Sequence, residues 1–157
     1  MNTKWLLGIV FILIVMAAGF LAFSPKTQAP VVTNPPVATT TQPAMLDDLI
    51  VVDSPLPGTT LISAMNSVTI TVTGKARGNW YFEATAPVEL TNVSGTSIAS
   101  GHITAQGDWM TTDYVPFSGT FTFPLQPAGS VGTLVLRNDN PSGDPAKEKA
   151  LKIPVQF

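Results

Sequence analysis

Val68-Thr-Ile-Thr-Val-Thr73 alternates apolar and hydroxyl side chains with a strict period of two. Successive side chains of an extended strand point to opposite faces, so Val68, Ile70 and Val72 share one face and the threonines the other. The same alternation recurs at Phe117-Ser-Gly-Thr-Phe-Thr-Phe123, which turns Phe117, Phe121 and Phe123 inward. Further short runs read as strands at 49–52, 79–84, 87–91, 97–104, 133–137 and from about Lys149 to Gln156. Turn-forming residues punctuate them: Asp53-Ser-Pro-Leu-Pro-Gly58, the connection Gly74–Gly78, and Asn92–Thr96. Asp144-Pro145 suits the cap and first position of a single helical turn. Seven to eight short strands without a long amphipathic helix predict an all-β fold, an antiparallel β-sandwich.

Outward from this block the composition changes twice. Trp5–Phe23 holds nineteen residues without a charge, flanked by Lys4 and Lys26. As a helix it reaches about 30 Å, the thickness of a bilayer's hydrocarbon core. Residues 1–23 therefore read as an N-terminal signal-anchor or transmembrane helix; a cleavable signal peptide, normally with a shorter apolar stretch, is the alternative. Residues 24–48 carry Pro25, Pro30, Pro35, Pro36 and Pro43 among threonines, a density that neither helix nor sheet interior accepts. That stretch reads as a disordered linker, either an extended stalk or a tether without a reach requirement. Residues 49–157 are left as the folded domain. The expected location is the cell membrane, crossed once, with the C-terminal domain extracytoplasmic.

Charge and composition exclude several functions. Charged residues make up 11% of the 157, and the net charge is −2. The lysines and arginines are dispersed, so no basic field addresses nucleic acid. There is no cysteine, which removes disulfides, thiolate chemistry and sulfur-rich zinc sites. His102 is the single histidine, placed mid-strand beside Ser100. Gly95-Thr-Ser lacks the second glycine and the helix of a nucleophile elbow. Glu83 and Glu89 read as ordinary strand carboxylates. No catalytic residue, cofactor or metal is assigned.

Four segments carry a family resemblance: Pro55-Leu-Pro-Gly58, Val72-Thr-Gly-Lys-Ala-Arg-Gly-Asn-Trp-Tyr-Phe-Glu83, Gly107-Asp-Trp-Met-Thr-Thr-Asp-Tyr-Val-Pro-Phe117 and Ile153-Pro-Val155. Together they resemble the Gmad2 domain, the immunoglobulin-like domain of bacterial spore germination proteins. The resemblance implies an immunoglobulin-like sandwich outside the cytoplasm with a binding, adhesion or structural role in the cell envelope. It also admits a subunit of an envelope or germination-related membrane complex. An envelope hydrolase built on His102 or acidic loop residues is the enzymatic rival.

Candidate binding residues come from the strand and loop readings. Alternation over Asn79–Glu83 sends Trp80 and Phe82 to one face, with Trp80 in the core, and Tyr81 and Glu83 outward. Trp109 stands in a loop beside Asp108, where it can stack on a sugar, anchor a protein or fold back over the sandwich end. Arg77 is placed to pair with Glu83 or Asp108. Arg77, Tyr81, Glu83, Asp108 and Trp109 thus form the candidate surface, for an envelope protein or polysaccharide partner. Asn138-Asp-Asn-Pro-Ser-Gly-Asp144 offers alternating oxygens that suit calcium, although the same residues suit a tight turn.

Overall fold

In the computed structural model, which describes residues 41–62 and 67–157, the alternating Val68–Thr73 stretch lies within a longer strand. The strands are β1 (Ala44–Leu46), β2 (Ile50–Ser54), β3 (Ser67–Arg77), β4 (Thr85–Asn92), β5 (Ser97–Ala105), β6 (Tyr114–Pro124), β7 (Val131–Arg137) and β8 (Ala150–Gln156). All pair antiparallel in the order β1-β2-β3-β6-β5-β4-β7-β8. The expected antiparallel sandwich has its two layers joined into one continuous, nearly barrel-like sheet. β3 and β6 pair over their full lengths, whereas β5 and β6 share only Thr104↔Ser118 and Ala105↔Phe117. That short seam is the corner at which two four-stranded halves fold towards each other. Opposite the seam, residues 58–61 lie along β8: Gly58 N donates to Pro154 O at 2.8 Å and Leu61 N to Gln156 O at 2.8 Å. The last strand's edge is thereby covered, which removes a template for unwanted pairing.

Period-two burial follows from this curling. Val68, Ile70 and Val72 from β3 meet Phe117, Phe121 and Phe123 from β6 in the core, together with Val88, Leu90, Ile103, Leu134, Leu136, Ile153 and Val155. The threonines of β3 and β6 face out, where Thr69 and Thr71 hydrogen-bond Thr122 and Thr120 at 3.2 Å. Full burial of such side chains contributes about 1.5–3 kcal/mol each, the largest favourable term available to a chain without disulfides.

Three expectations are corrected. Ala44–Leu46, expected within the linker, forms β1, because Asp47-Asp48 turns the chain back onto β2. Asp47 adopts the left-handed φ of 47° there, which Asp tolerates better than most residues. Gly74–Gly78, expected as a connection, continues β3 to Arg77. Gly74 permits this: a Cβ there would collide with the Val51 carbonyl and come within 2.8 Å of Phe117 Cζ. Asn79–Ala84, expected as a strand, is a 3₁₀ turn at Gly78–Trp80 followed by a tight reversal at Glu83-Ala84.

The single helical turn expected at Asp144 is present as Pro145–Lys147, with Asp144 Oδ1 accepting from Ala146 N. Among the described residues no helix is long and apolar enough to cross a membrane. The expected anchor, residues 1–23, and the linker as far as residue 40 lie outside the described residues.

Candidate functional site

The sheet's register brings four connections to one end: Asp47–Leu49, Gly78–Ala84, Gln106–Asp113 and Asn138–Lys149. All five candidate residues lie at or beside this end, here termed the Trp80 end. β1 runs towards it from Ala44 to Leu46.

Once the strand expected at Asn79–Ala84 is replaced by a 3₁₀ turn, its alternation no longer holds. Consecutive residues of such a turn are about 120° apart, and Trp80 (1% exposed) and Tyr81 (4%) both enter the core. Phe82, expected inward, is 41% exposed. The outward placement of Tyr81 is thus corrected. Its hydroxyl donates to Val115 O at 2.9 Å, and burial pushes the phenol up to about 12. Glu83 is exposed in a two-residue reversal in which Phe82 and Thr85 exchange backbone hydrogen bonds at 3.0 Å. Glu83 and Ala84 take φ of 50° and 64°, values that type I′ hairpin turns require and that glycine or asparagine usually supply.

Arg77 pairs with neither Glu83 nor Asp108. Its guanidinium forms an ion pair with Asp48, Nε donates to Asp48 O at 3.0 Å, and Nη1 donates to Thr112 O at 3.3 Å. The guanidinium also lies 4.0 Å from the centre of the Tyr114 ring, and the Tyr114 hydroxyl donates to Asp48 Oδ1 at 2.9 Å. These bonds, Tyr114's first and Arg77's second, hold the Asp48 carboxyl below the usual carboxylate range. Arg77 thereby fastens the β1–β2 turn and the Gln106–Asp113 loop to the end of β3. Asp48 is the last residue of the expected linker, one position before the expected domain, and so lies outside the candidate surface expected from sequence. A two-residue Asp-Asp turn between Met45-Leu46 and Leu49-Ile50 was the available signal.

The loop that Arg77 holds carries Asp108 and Trp109. Asp108 Oδ1 accepts from Met110 N at 3.0 Å, a local turn bond. Trp109 is half-buried and packs against the core, the folded-back placement. Its loop is pressed onto Gly78, where a Cβ would collide with the carbonyls of Trp109 and Thr111. Met110, outside the candidate surface expected from sequence, is 78% exposed in this loop. Tyr81 and Trp109 come together along an open concavity of about 470 Å³ beneath Met110.

Asn79 separates this concavity from a second, of about 540 Å³, bordered by Trp80, Leu49, Asp139, Lys147 and Lys149. Here the oxygens considered for calcium are engaged within the loop. Asn138 Oδ1 accepts from Lys149 N at 2.7 Å, Ser142 Oγ donates to Asn140 Oδ1 at 2.7 Å, and Asp144 caps the Pro145–Lys147 turn. Among the described residues no group of three His, Cys, Asp or Glu side chains is placed to hold a metal. His102 lies on the exposed face of β5 opposite Pro87, with no hydrogen-bonded carboxylate or hydroxyl partner among the described residues. Glu89 stands 3.7 Å from Arg137 on the neighbouring β7.

The model of Gmad2, the immunoglobulin-like domain of bacterial spore germination, matches residues 49–144. The chain belongs to the Gmad2 family. The matched stretch contains the Arg77 clamp's β3 and β6 and both concavities' central turn; β1 and β8 lie outside it, yet complete the same sheet. Comparison of the Gmad2 chain with curated proteins and with solved structures found no match.

Proposed function

We propose that this Gmad2 protein is a non-catalytic binding module of the bacterial envelope, anchored in the cell membrane by Trp5–Phe23 and facing outward through its Trp80 end. Membership of an immunoglobulin-like family supports a general binding or structural role. β1, the first described strand, runs from Ala44 towards the Trp80 end, which supports the orientation. The observation that carries the reading is the Gln106–Asp113 loop. Its backbone is fixed by Arg77 and Gly78, yet it presents Met110 at 78% exposure. A preorganised apolar tip loses little conformational entropy on binding, which is what a recognition surface needs.

The experiment is retention of the full chain on isolated envelope fractions, compared with Met110→Asp. Met110 contributes no core packing, so the variant keeps the fold while placing a charge at the tip. Retention should fall about tenfold or more, the effect of losing one well-packed contact. Equal retention of both proteins refutes the assignment. A subunit role in a germination-related membrane complex is the second reading, favoured by the family's description. Replacing Trp5–Phe23 with an unrelated apolar span separates the two: the complex reading requires loss of function, the outer-domain reading requires its retention.

A further inference from the structure

Charge is partitioned along the domain. Each of the four connections at the Trp80 end carries at least one charged side chain, from Asp47 and Asp48 to Lys147 and Lys149. The opposite end is built by residues 55–62, 93–96 and 125–130 together with the end of β8. The sequence holds no Asp, Glu, Lys, Arg or His between Asp53 and Lys75, between Glu89 and His102, between Asp113 and Arg137, or after Lys152. None of these connections therefore carries a charged side chain. Glu89 and Lys152, both level with Val135, stand three to four residues up the sheet, about 10 Å or more from the tips.

What this end presents instead is apolar. Ile62 is 83% exposed, Val93 62% and Leu125 48%. Ile62 and Leu125 border a shallow groove of about 300 Å³, lined also by Leu61, Val68 and Phe157. The backbone beneath these side chains is prepared for dehydration. Pro55, Pro57, Pro124 and Pro127 bring no N–H. In the turn that carries Val93, Asn92 Oδ1 accepts from Ser94 N at 3.0 Å and from Thr96 N at 2.9 Å, and Gly95 N donates to Asn92 O at 2.9 Å. Gly129 N donates to Phe157 O at 2.7 Å and Ser130 N to Pro127 O at 3.0 Å. Charges and unpaired N–H groups make entry into an apolar medium costly; here charged side chains are absent and these N–H groups are engaged.

We infer that this end docks on the surface of a lipid bilayer, with Ile62, Val93 and Leu125 entering the boundary between headgroups and acyl chains. The inference rests on the membrane anchoring proposed above. Residues 24–43 extend to about 60 Å at most, at the rise of a polyproline helix, so the tether keeps the domain within reach of the bilayer. That raises the effective concentration enough for a contact of three side chains to form. The uncharged tips favour lipid over a protein partner, whose interface would bring a polar rim to be matched. Exposed apolar side chains gathered at one end are what a membrane surface accepts. Docking also holds the Trp80 end, with Met110, away from the membrane.

The chain has no cysteine, so a single introduced cysteine is labelled at one place. The full chain with Val93→Cys or Met110→Cys, carrying a small fluorophore, is reconstituted at one copy per phosphatidylcholine nanodisc that contains lipid bearing a nitroxide near its headgroup. Quenching is expected at position 93 and not at position 110. Ile62→Asp with Leu125→Asp should lower the ratio of docked to undocked chain at least about tenfold, read as recovered fluorescence at 93 with circular dichroism unchanged. With no basic side chain in these connections, added salt should not weaken the contact and anionic phosphatidylglycerol should not strengthen it. No quenching at 93, equal quenching at both positions, a requirement for anionic lipid, or indifference to the double variant overturns the inference. Quenching that needs several copies per disc assigns this end to a second copy and overturns it as well. Incorporation into the discs reads the anchor separately. A chain that incorporates but is not quenched at 93 loses the docking and keeps the anchor, whereas one that fails to incorporate loses both.

Discussion

Tyr81→Phe tests the local structure on which the Trp80 end depends. The substitution keeps the ring in the core and deletes one oxygen, whose hydroxyl donates to Val115 O at 2.9 Å in a buried setting. Losing the bond and leaving a buried carbonyl with less satisfaction costs about 1–2 kcal/mol. At about 4 °C per kcal/mol for a domain near this size, the melting temperature should fall by roughly 4–8 °C. A Tyr81 directed outward, as alternation expects, would give almost no change. The pH dependence provides a second and independent reading. Burial raises the folded phenol from 10.0 to about 12, so between those values the folded state keeps a proton that the unfolded state has released. The resulting stability is fully present below pH 10 and is lost as pH rises through about 12. Two pKa units set an upper bound of about 2.7 kcal/mol, and partial solvent access lowers it. Urea unfolding of both proteins between pH 7 and 12 should therefore show a gap that closes in the alkaline range. Tyr114 titrates in both proteins and cancels. No gap at pH 7, or one that stays constant to pH 12, refutes the buried placement.

Asp48→Asn should reveal the clamp at the β1–β2 turn. The folded Asp48 pKa lies below its unfolded value, so the clamp adds stability above the unfolded value and loses it as pH falls through the folded one. The difference in melting temperature from the native chain should be steady above about pH 5 and narrow on acidification; a difference independent of pH excludes the clamp. Gly119→Ala probes the corner, since a Cβ there would lie 2.6 Å from His102 O and 3.1 Å from Ile103 Cα. Urea unfolding should show a loss of about 1–3 kcal/mol, with faster hydrogen exchange at Gln106, whose N–H bonds Pro116 O across the seam. Unchanged exchange at Gln106 would show that the two halves do not depend on this approach.

Much of the fold was legible along the chain because strand alternation and turn residues are local signals. Val68–Thr73 and Phe117–Phe123 sort their side chains by period alone, and the burial agrees residue by residue. Asn92–Thr96 and Asp144-Pro145 announce their turns through the chemistry of Asn, Gly, Asp and Pro. The same reasoning failed at Asn79–Ala84, where Trp80, Tyr81 and Phe82 have the composition of a strand. Burial of two adjacent aromatics outweighs that propensity, and the reversal behind them uses positive φ at Glu83 and Ala84 with no glycine to signal it. Arg77 was recognised as a fastening residue, but its partner Asp48 lies 29 positions away, and no local pattern joins them.

By itself, then, the sequence determined an all-β domain, its core faces and the membership carried by Gly78–Glu83 and its neighbours. Tertiary structure alone decided that the strands close into one sheet, that β1 belongs to it, and that Trp80, Asn79, Lys147 and Lys149 border one cleft. The physical reason is range: alternation and turn preference act over two to four residues, whereas strand order and the meeting of loops depend on which distant faces bury each other.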